Sequence, residues 1–264
     1  MTSRLGNTFA RIRTTGHGGL VTYLTAGDPD ADRSAELLQA VAHAGADVLE
    51  VGVPFSDPLA DGPVIQRATE RALAKGMTLR GTLDLVRHLR GRVDAPVVLF
   101  TYANPVLRLG VDAFVRTAAD SGVDGVLILD YPVEEAGAMR DAVLDAGMDP
   151  IFLVSPTTTE KRIRQSAALG RGFLYLISRL GVTGMRDSLP ADVASLTARV
   201  RACTALPTAL GFGIATPELV AEACRAADAA VVGSALVQFV ADHVDQSNLS
   251  DSTGEYVRWL KSGL

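Results

Sequence analysis

Short apolar runs alternate with longer amphipathic segments along the whole chain, and this alternation constrains the fold more than any other feature of the sequence. The runs recur at intervals of about 20 to 35 residues, and each is followed by Gly, Pro or Asp and then by apolar residues at helical spacing. A strand that is followed each time by a helix is typical of parallel βαβ units. We therefore expect an α/β protein built on a parallel sheet.

Eight strands are predicted by these runs. They are Leu20–Thr25, Ala46–Val53, Pro96–Thr101, Asp124–Leu129, Pro150–Val154, Gly172–Ile177, Pro207–Gly211 and Asp228–Val232. The helices predicted by the amphipathic segments are Thr2–Ile12, Arg33–Ala44, Pro63–Lys75, Leu79–Arg90, Val111–Ser121, Glu134–Ala146, Glu160–Leu169, Ala191–Arg201, Pro217–Ala226 and Ser234–Val244. Because no linker separates the units, we expect one (β/α)8 barrel domain over residues 1–264, with an extra N-terminal helix.

Two other architectures fit part of the pattern. The length of 264 residues also suits two smaller domains, and a doubly wound open sheet shares the strand–helix order. The open sheet lacks its glycine fingerprint here, because Ala26-Gly27-Asp28-Pro29 follows the first strand in place of GxGxxG. A helix end, usually with a glycine, leads straight into a strand at residues 44–47, 121–124, 145–149 and 226–228, and this repetition favours the barrel.

Composition disfavours several functional classes. A net charge of -5 and a pI near 5.4 give no basic footprint for nucleic acid, and we expect neither a leader peptide nor a membrane span. Cys203 and Cys224 lack CxxC spacing, so free thiols in a reducing cytoplasm are expected. The histidines lie apart from one another and from the strand ends, and the sequence therefore predicts neither a metal site nor a Ser/His triad.

The second strand carries a glutamate towards its carboxyl end, where the active site of a (β/α)8 barrel lies. Alternation along the strand directs Glu50 into the barrel with Val48 and Gly52, and directs residues 49, 51 and 53 towards the helices. Burial should raise the pKa of Glu50 towards neutrality, which suits a group that both gives and takes a proton. A structural glutamate paired with a cation is the alternative, but the predicted strands contain no Lys or Arg.

Two aspartates lie in the loop after this strand, Asp57 and Asp61. Turn formation, or capping of the helix that begins at Pro63, accounts for at least one of them. Spacing alone favours Asp61 as a second catalytic carboxylate and leaves Asp57 open.

Glycines follow the seventh and eighth strands, at Gly211-Phe212-Gly213 and Gly233-Ser234. Backbone N–H groups at such glycines and at helix starts bind a phosphate dianion without a lysine. Tight packing explains either segment alone, but the pair after these two strands predicts a phosphate site. In the loop after the sixth strand, glycines flank Thr183, and we expect a lid, with a plain long loop as the alternative.

The segment LEVGVPFSDPLADGP at Leu49–Pro63 closely resembles the motif of the tryptophan synthase α subunit family. Supporting segments are Tyr23–Pro29, Tyr102–Pro105, Asp130–Glu135, Gly181–Gly184, Gly211–Gly213 and Gly233–Ser234, so the resemblance extends over nearly the whole chain. It implies a lyase of tryptophan biosynthesis that cleaves indole-3-glycerol phosphate by a retro-aldol reaction into indole and glyceraldehyde 3-phosphate. It also implies no cofactor or metal in this chain, with pyridoxal phosphate expected only in a β subunit that receives the indole.

The resemblance further implies a role for each site residue. Glu50 would be the general acid–base that protonates indole C3 and takes the glycerol hydroxyl proton, while Asp61 would hold the ring N–H and stabilise the cationic indolenine. Tyr175 would support Glu50 or line the site. The residues expected at the substrate are Tyr23, Phe100, Leu127 and Phe212 around the indole, Thr183 closing over it, and Gly184, Gly213, Gly233 and Ser234 around the phosphate.

Pro54, Asp57 and Asn104 would face the β partner, in an α2β2 heterotetramer of the cytoplasm. Two other functions are compatible with these residues: a stand-alone lyase that releases free indole for secondary metabolism, and a noncatalytic barrel that activates a β-like partner. The departures from the family pattern are Thr22 in place of the usual Pro, Thr101 in place of a frequent Met, and Tyr131 in place of a frequent Leu. We expect these three residues to contact the pocket wall and the top-face loops rather than the reacting atoms.

Overall fold

A computed structural model describes residues 3–177, 192–211 and 213–264. In this part of the chain, eight parallel strands form a closed barrel in sequence order. The strands are β1 Gly19–Thr25, β2 Val48–Gly52, β3 Val97–Thr101, β4 Gly125–Ile128, β5 Asp149–Val154, β6 Leu174–Ile177, β7 Thr208–Gly211 and β8 Ala229–Val232. The helices are α1 Arg4–Thr15, α2 Ala31–His43, α3 Pro63–Ala74, α4 Leu79–Arg90, α5 Ala103–Leu109, α6 Val111–Asp120, α7 Gly137–Asp145, α8 Glu160–Leu169, α9 Asp192–Cys203, α10 Pro217–Ala226, α11 Ser234–Asp242 and α12 Leu249–Lys261.

The predicted barrel with its N-terminal helix is therefore confirmed, and each strand lies within two residues of its predicted bounds. Two helices were not predicted. Helix α5 contains Pro105, which its first turn tolerates because the N–H groups there have no partner within the helix. Helix α12 contains Gly254, which lowers helix propensity.

Helix α1 closes the amino-terminal end of the barrel. The Ser3 side chain caps this helix by accepting the Gly6 N–H, and the helix then turns Leu5, Phe9 and Ile12 towards the barrel. These side chains are buried in one cluster with inward residues of the strands, and the Phe9 and Phe173 ring centroids are 5.0 Å apart. The lower barrel interior is thus filled by apolar side chains, as a packed core requires.

Four aspartates at the helix-to-strand junctions hold this helix in place. The contacts are Arg4 with Asp124 at 3.4 Å, Arg11 with Asp47 at 3.1 Å, Arg13 with Asp228 at 2.6 Å, and the Ser3 hydroxyl with Asp149. Three of these aspartates also accept the backbone N–H of a neighbouring strand, at Leu20, Val97 and Thr208. The recurring junctions of the sequence therefore tie the strands to one another and to α1.

No helix in the described ranges is both long enough and apolar enough to span a membrane.

Candidate active site

Glu50 lies inside the barrel on β2, level with Tyr23 on β1 and Val98 on β3. Its exposed fraction is 0%, and neither carboxylate oxygen has a hydrogen-bond partner within the described residues. Burial raises the pKa of Glu50 to about 8. The strand pattern predicts a raised pKa for Glu50, and no cation in the described part of the chain lowers it.

Asp61 lies above the barrel in the loop between β2 and α3 and is half-buried. Burial raises its pKa to about 6, and a hydrogen bond with the Tyr102 hydroxyl acts in the opposite direction. Asp61 therefore loses its proton at a lower pH than Glu50 does. Near neutral pH, Glu50 is mostly protonated and Asp61 is mostly charged.

Tyr102 begins one of the segments that support the family resemblance, but no role in the site was predicted for it. Its side chain is 3% exposed at the end of β3, its hydroxyl accepts the Ala60 N–H at 3.1 Å, and its ring lies 5.3 Å from that of Phe55. These contacts hold the loop that carries Asp61. The position of Tyr102 at the carboxyl end of a strand was the signal that could have identified it.

Aromatic rings surround Glu50. The Tyr23 and Phe100 centroids are 5.1 Å apart in an edge arrangement, and those of Phe100 and Tyr175 are 6.5 Å apart. Glycines make room for the tyrosines, because a Cβ at Gly52 would lie 2.1 Å from the Tyr23 hydroxyl and one at Gly211 would lie 2.8 Å from the Tyr175 hydroxyl. The small residues on β2 and β7 thus leave the space that the two tyrosine side chains occupy.

The two tyrosine hydroxyls remain protonated beside the carboxylates. Burial chiefly raises the pKa of Tyr175, and the charges of Glu50 and Asp61 raise it further. The pKa of Tyr23 is raised by burial and then by Asp61, while a 3.2 Å hydrogen bond with Thr25 lowers it. Both hydroxyls can donate hydrogen bonds in a site that also holds Glu50 and Asp61.

The structure brings most of the other predicted substrate residues to this end of the barrel. Leu127 is buried in the interior on β4. Gly213 and Gly233 follow β7 and β8, which pair with each other, and Ser234 begins α11. Thr183, Gly184 and Phe212, and with them the predicted lid, lie outside the described residues.

The residues expected at a partner surface differ in exposure. Asp57 and Asn104 are exposed, whereas Pro54 is buried within the chain. Two apolar side chains that the sequence analysis did not single out lie near them: Leu59 is 94% exposed and Leu107 is 52% exposed. Single exposed apolar side chains are ordinary, but several close together are typical of a surface that contacts another protein.

One part of the expectation about Thr22 and Thr101, contact with the pocket wall, was wrong. Thr22 and Thr101 do not line the pocket: strand alternation places their inward-facing neighbours, Val21 and Phe100, against the barrel interior. The Thr22 side chain is buried on the helix side, and its Oγ1 lacks a hydrogen-bond partner among the described residues. Tyr131 is half-buried and lines a separate cavity of about 290 Å³ beside β4 and β5.

The site can therefore transfer a proton, and none of the contacts of Glu50 among the described residues is with a cation. Within the described ranges, no group of three or more His, Cys, Asp or Glu residues could hold a metal ion. A buried carboxyl with a pKa of about 8 can give and take a proton near neutral pH. Gly213 and Gly233 each lie two residues after Gly211 and Val231, the last residues through which β7 and β8 pair with each other, and backbone N–H groups at such positions can bind an anion.

Known proteins share both the sequence and the shape of this chain. The family described as tryptophan synthase alpha chain matches residues 9–260. A tryptophan synthase alpha chain from Solibacter usitatus is 47% identical over 262 residues, covering 99% of this chain and 98% of the relative. One from Burkholderia thailandensis is 46% identical over 263 residues, with 99% and 97% covered.

Two solved structures are similar to this chain in both fold and sequence. Tryptophan synthase subunit alpha from Legionella pneumophila superposes with a TM-score of 0.89 at 34% identity, covering 100% of this chain and 98% of that one. A tryptophan synthase chain from Mycobacterium tuberculosis gives 0.91 at 37% identity, with the same coverage. Sequence and fold therefore agree over the full barrel.

Proposed function

Because the chain belongs to the tryptophan synthase alpha chain family, we propose that Glu50 and Asp61 are the acid–base carboxylates of its reaction. The chain is a carbon–carbon lyase of tryptophan biosynthesis that cleaves indole-3-glycerol phosphate. The observation that carries the proposal is the Glu50 side chain, which is fully buried, has no partner for either oxygen in the described part of the chain, and has a pKa of about 8.

Retro-aldol cleavage needs a proton at indole C3 and the removal of a proton from the glycerol hydroxyl next to the breaking bond. Glu50 supplies the first in its carboxylic acid form and accepts the second as a carboxylate. A pKa of about 8 makes both forms accessible near neutral pH. Indole and glyceraldehyde 3-phosphate are the products.

Asp61 has the complementary task of holding a fixed negative charge beside the indole N–H. The cation that forms on the ring is then stabilised by a carboxylate already in place. The hydrogen bond with Tyr102 lowers the pKa of Asp61 and so favours the charged form. Tyr175 supports Glu50, while Tyr23, Phe100, Leu127 and Phe212 form the apolar walls around the indole.

The phosphate is bound by backbone N–H groups and the hydroxyl of Ser234. Gly213 and Gly233 contribute from just beyond the paired ends of β7 and β8. Gly184 contributes from the loop after β6. Thr183 closes over the bound substrate and meets Asp61. The start of α11 adds the positive end of a helix dipole.

The partner in this proposal is a tryptophan synthase β subunit that holds the pyridoxal phosphate, so this chain needs no cofactor of its own. Asp57 and Asn104 lie at the contact, whereas the buried Pro54 belongs to the same loop as Asp57 without reaching the surface. The exposed side chains of Leu59 and Leu107 support an interface near these two residues. The assembly is an α2β2 heterotetramer of the cytoplasm, in which residues 1–264 form one domain.

The test is indole formation from indole-3-glycerol phosphate, with and without a tryptophan synthase β subunit. We expect slow release of indole by the chain alone and strong stimulation by the partner. An unchanged rate on addition of β would contradict the partnership. Fast turnover without any partner would identify the chain as a stand-alone lyase.

A further inference from the structure

Four aromatic rings form a continuous stack between α11 and α12. Phe239 stacks on His243 at 4.1 Å and on Tyr256 at 4.5 Å, and Tyr256 stacks on Trp259 at 5.5 Å. The planes of Phe239 and Tyr256 differ by only 8°. Helix α11 is therefore fixed against α12 through the ring of Tyr256.

The hydroxyl of Tyr256 makes a second connection. It donates a 3.3 Å hydrogen bond to the carbonyl of Ala215, in the loop between β7 and α10. At the end of α12, Gly263 lies so close to α10 that an added Cβ would be 2.1 Å from the Pro217 carbonyl oxygen. Helix α12 thus contacts the chain after β7 at two points.

We propose that Tyr256 is a positioning residue for the phosphate end of the substrate. This rests on the proposed function, which places the phosphate between Gly213 and the start of α11. Tyr256 joins these two segments, because its hydroxyl holds the loop two residues after Gly213 while its ring holds the helix that begins at Ser234. It does so from the helix layer, without contacting the phosphate.

The role follows from how the phosphate is bound. Backbone N–H groups bind an anion well only when they are already in place, since any ordering on binding lowers affinity. Both segments project beyond their strands, and the strand pairing between β7 and β8 ends at Gly211 and Val231. Beyond that point, Tyr256 supplies a contact that keeps the two segments in register.

The test uses Tyr256→Phe, which keeps the ring stack and removes only the hydrogen bond to Ala215. We expect the Kd for inorganic phosphate, measured by calorimetry, and the KM for indole-3-glycerol phosphate each to rise about 5-fold, as expected for loss of one hydrogen bond. The kcat should stay within about 2-fold, because Glu50 and Asp61 lie on and after β2. Phe239→Leu, which breaks the stack, should raise the same two constants.

Tyr131→Phe is the matched control, since Tyr131 is also half-buried and its hydroxyl has no hydrogen bond in the described ranges. It should leave both constants unchanged. Equal constants for wild type, Tyr256→Phe and Phe239→Leu would overturn the positioning role, even if the variants melt at a lower temperature. If phosphate does not compete with indole-3-glycerol phosphate in the wild type, the proposed phosphate site fails as well.

Discussion

The junction aspartates at the amino-terminal end of the barrel and Glu50 at its carboxyl-terminal end are carboxyl groups in opposite settings. At the amino-terminal end, the junction aspartates Asp47, Asp124, Asp149 and Asp228 each pair with at least one cation. At the carboxyl-terminal end, Glu50 has no partner in the described chain. Burial does not explain the contrast, because Asp149 and Glu50 are both 0% exposed.

The pKa values show what the partners change. Burial alone would raise the pKa of Asp228, but hydrogen bonds from Arg13 and Thr208 outweigh it and hold the pKa below its usual value. Glu50 is buried without a hydrogen-bond partner among the described residues, so its pKa rises to about 8. A partnered carboxylate keeps its charge and stabilises the fold, whereas an unpartnered carboxyl keeps a proton that chemistry can use.

The largest effect expected is on catalysis. Glu50→Gln should lower kcat by about 10³-fold, because the amide cannot transfer a proton. Inorganic phosphate should still bind with the wild-type Kd. Asp228→Asn is the control at the other end and should leave kcat per folded molecule within about 2-fold of wild type. Retention of a large part of kcat by Glu50→Gln would remove Glu50 from the mechanism.

The same substitution should stabilise the protein in a pH-dependent way. The pKa of Glu50 is about 8 in the fold and about 4.3 in the unfolded chain, so the unfolded state releases the proton first and wild-type stability falls as pH rises between these values. Glu50→Gln has no ionisable group at this position, so its free energy of unfolding should exceed that of wild type by about 3 kcal/mol at pH 7. Urea unfolding of both proteins at pH 5 and pH 7 measures this, and a difference independent of pH would contradict it.

Removing an aspartate from the amino-terminal end should have the opposite sign. Asp228→Ala leaves Arg13 and the Thr208 N–H without their acceptor and should destabilise the fold by about 2 kcal/mol at pH 7. Because the folded pKa of Asp228 is depressed, this contribution is present above about pH 4 and disappears as pH falls through the folded value. Asp141→Ala, in an exposed pair with Arg140, is the control and should change little. Equal urea midpoints for the two variants would refute the argument.

The smallest effect is expected at Thr22, whose buried hydroxyl has no hydrogen-bond partner among the described residues and lies outside the proposed site. Thr22→Val replaces the buried Oγ1 with a methyl group of similar size and should stabilise the fold by about 1 kcal/mol. Thr101 is equally buried, but its hydroxyl donates to the Tyr102 carbonyl at 3.4 Å. Thr101→Val should therefore not stabilise the fold, and thermal melting of both variants distinguishes the two cases.

The sequence predicted the elements whose signal is local. Eight strands were found because each is a short apolar run with a clear end, and α4, α8 and α10 begin and end at their predicted residues. Helix α12 was missed because its stability comes from packing on α2. The two helices are close there, since a Cβ added at Gly254 would lie 3.6 Å from the Ala40 carbonyl oxygen. That contact is invisible in the sequence pattern.

The candidate site shows the same limit. Glu50 was found from strand alternation, since a charge in an apolar strand is unusual. Spacing favoured Asp61 but left Asp57 open, and the resemblance then raised Asp61 over Asp57. Tyr102 was given no role because its importance arises when the loop after β2 folds back, which brings Ala60 to its hydroxyl across 42 positions of sequence.

The contacts between α1 and the junction aspartates affect the order in which the barrel folds. Helix α1 is made before the rest of the barrel, yet its Arg13 pairs with Asp228, 215 positions further along the chain. Its apolar side chains have no complete interior to enter until the last strand has been synthesised. Docking of α1 and closure of the barrel are therefore coupled, and we expect them to depend on long-range closure rather than on the speed of local helix formation.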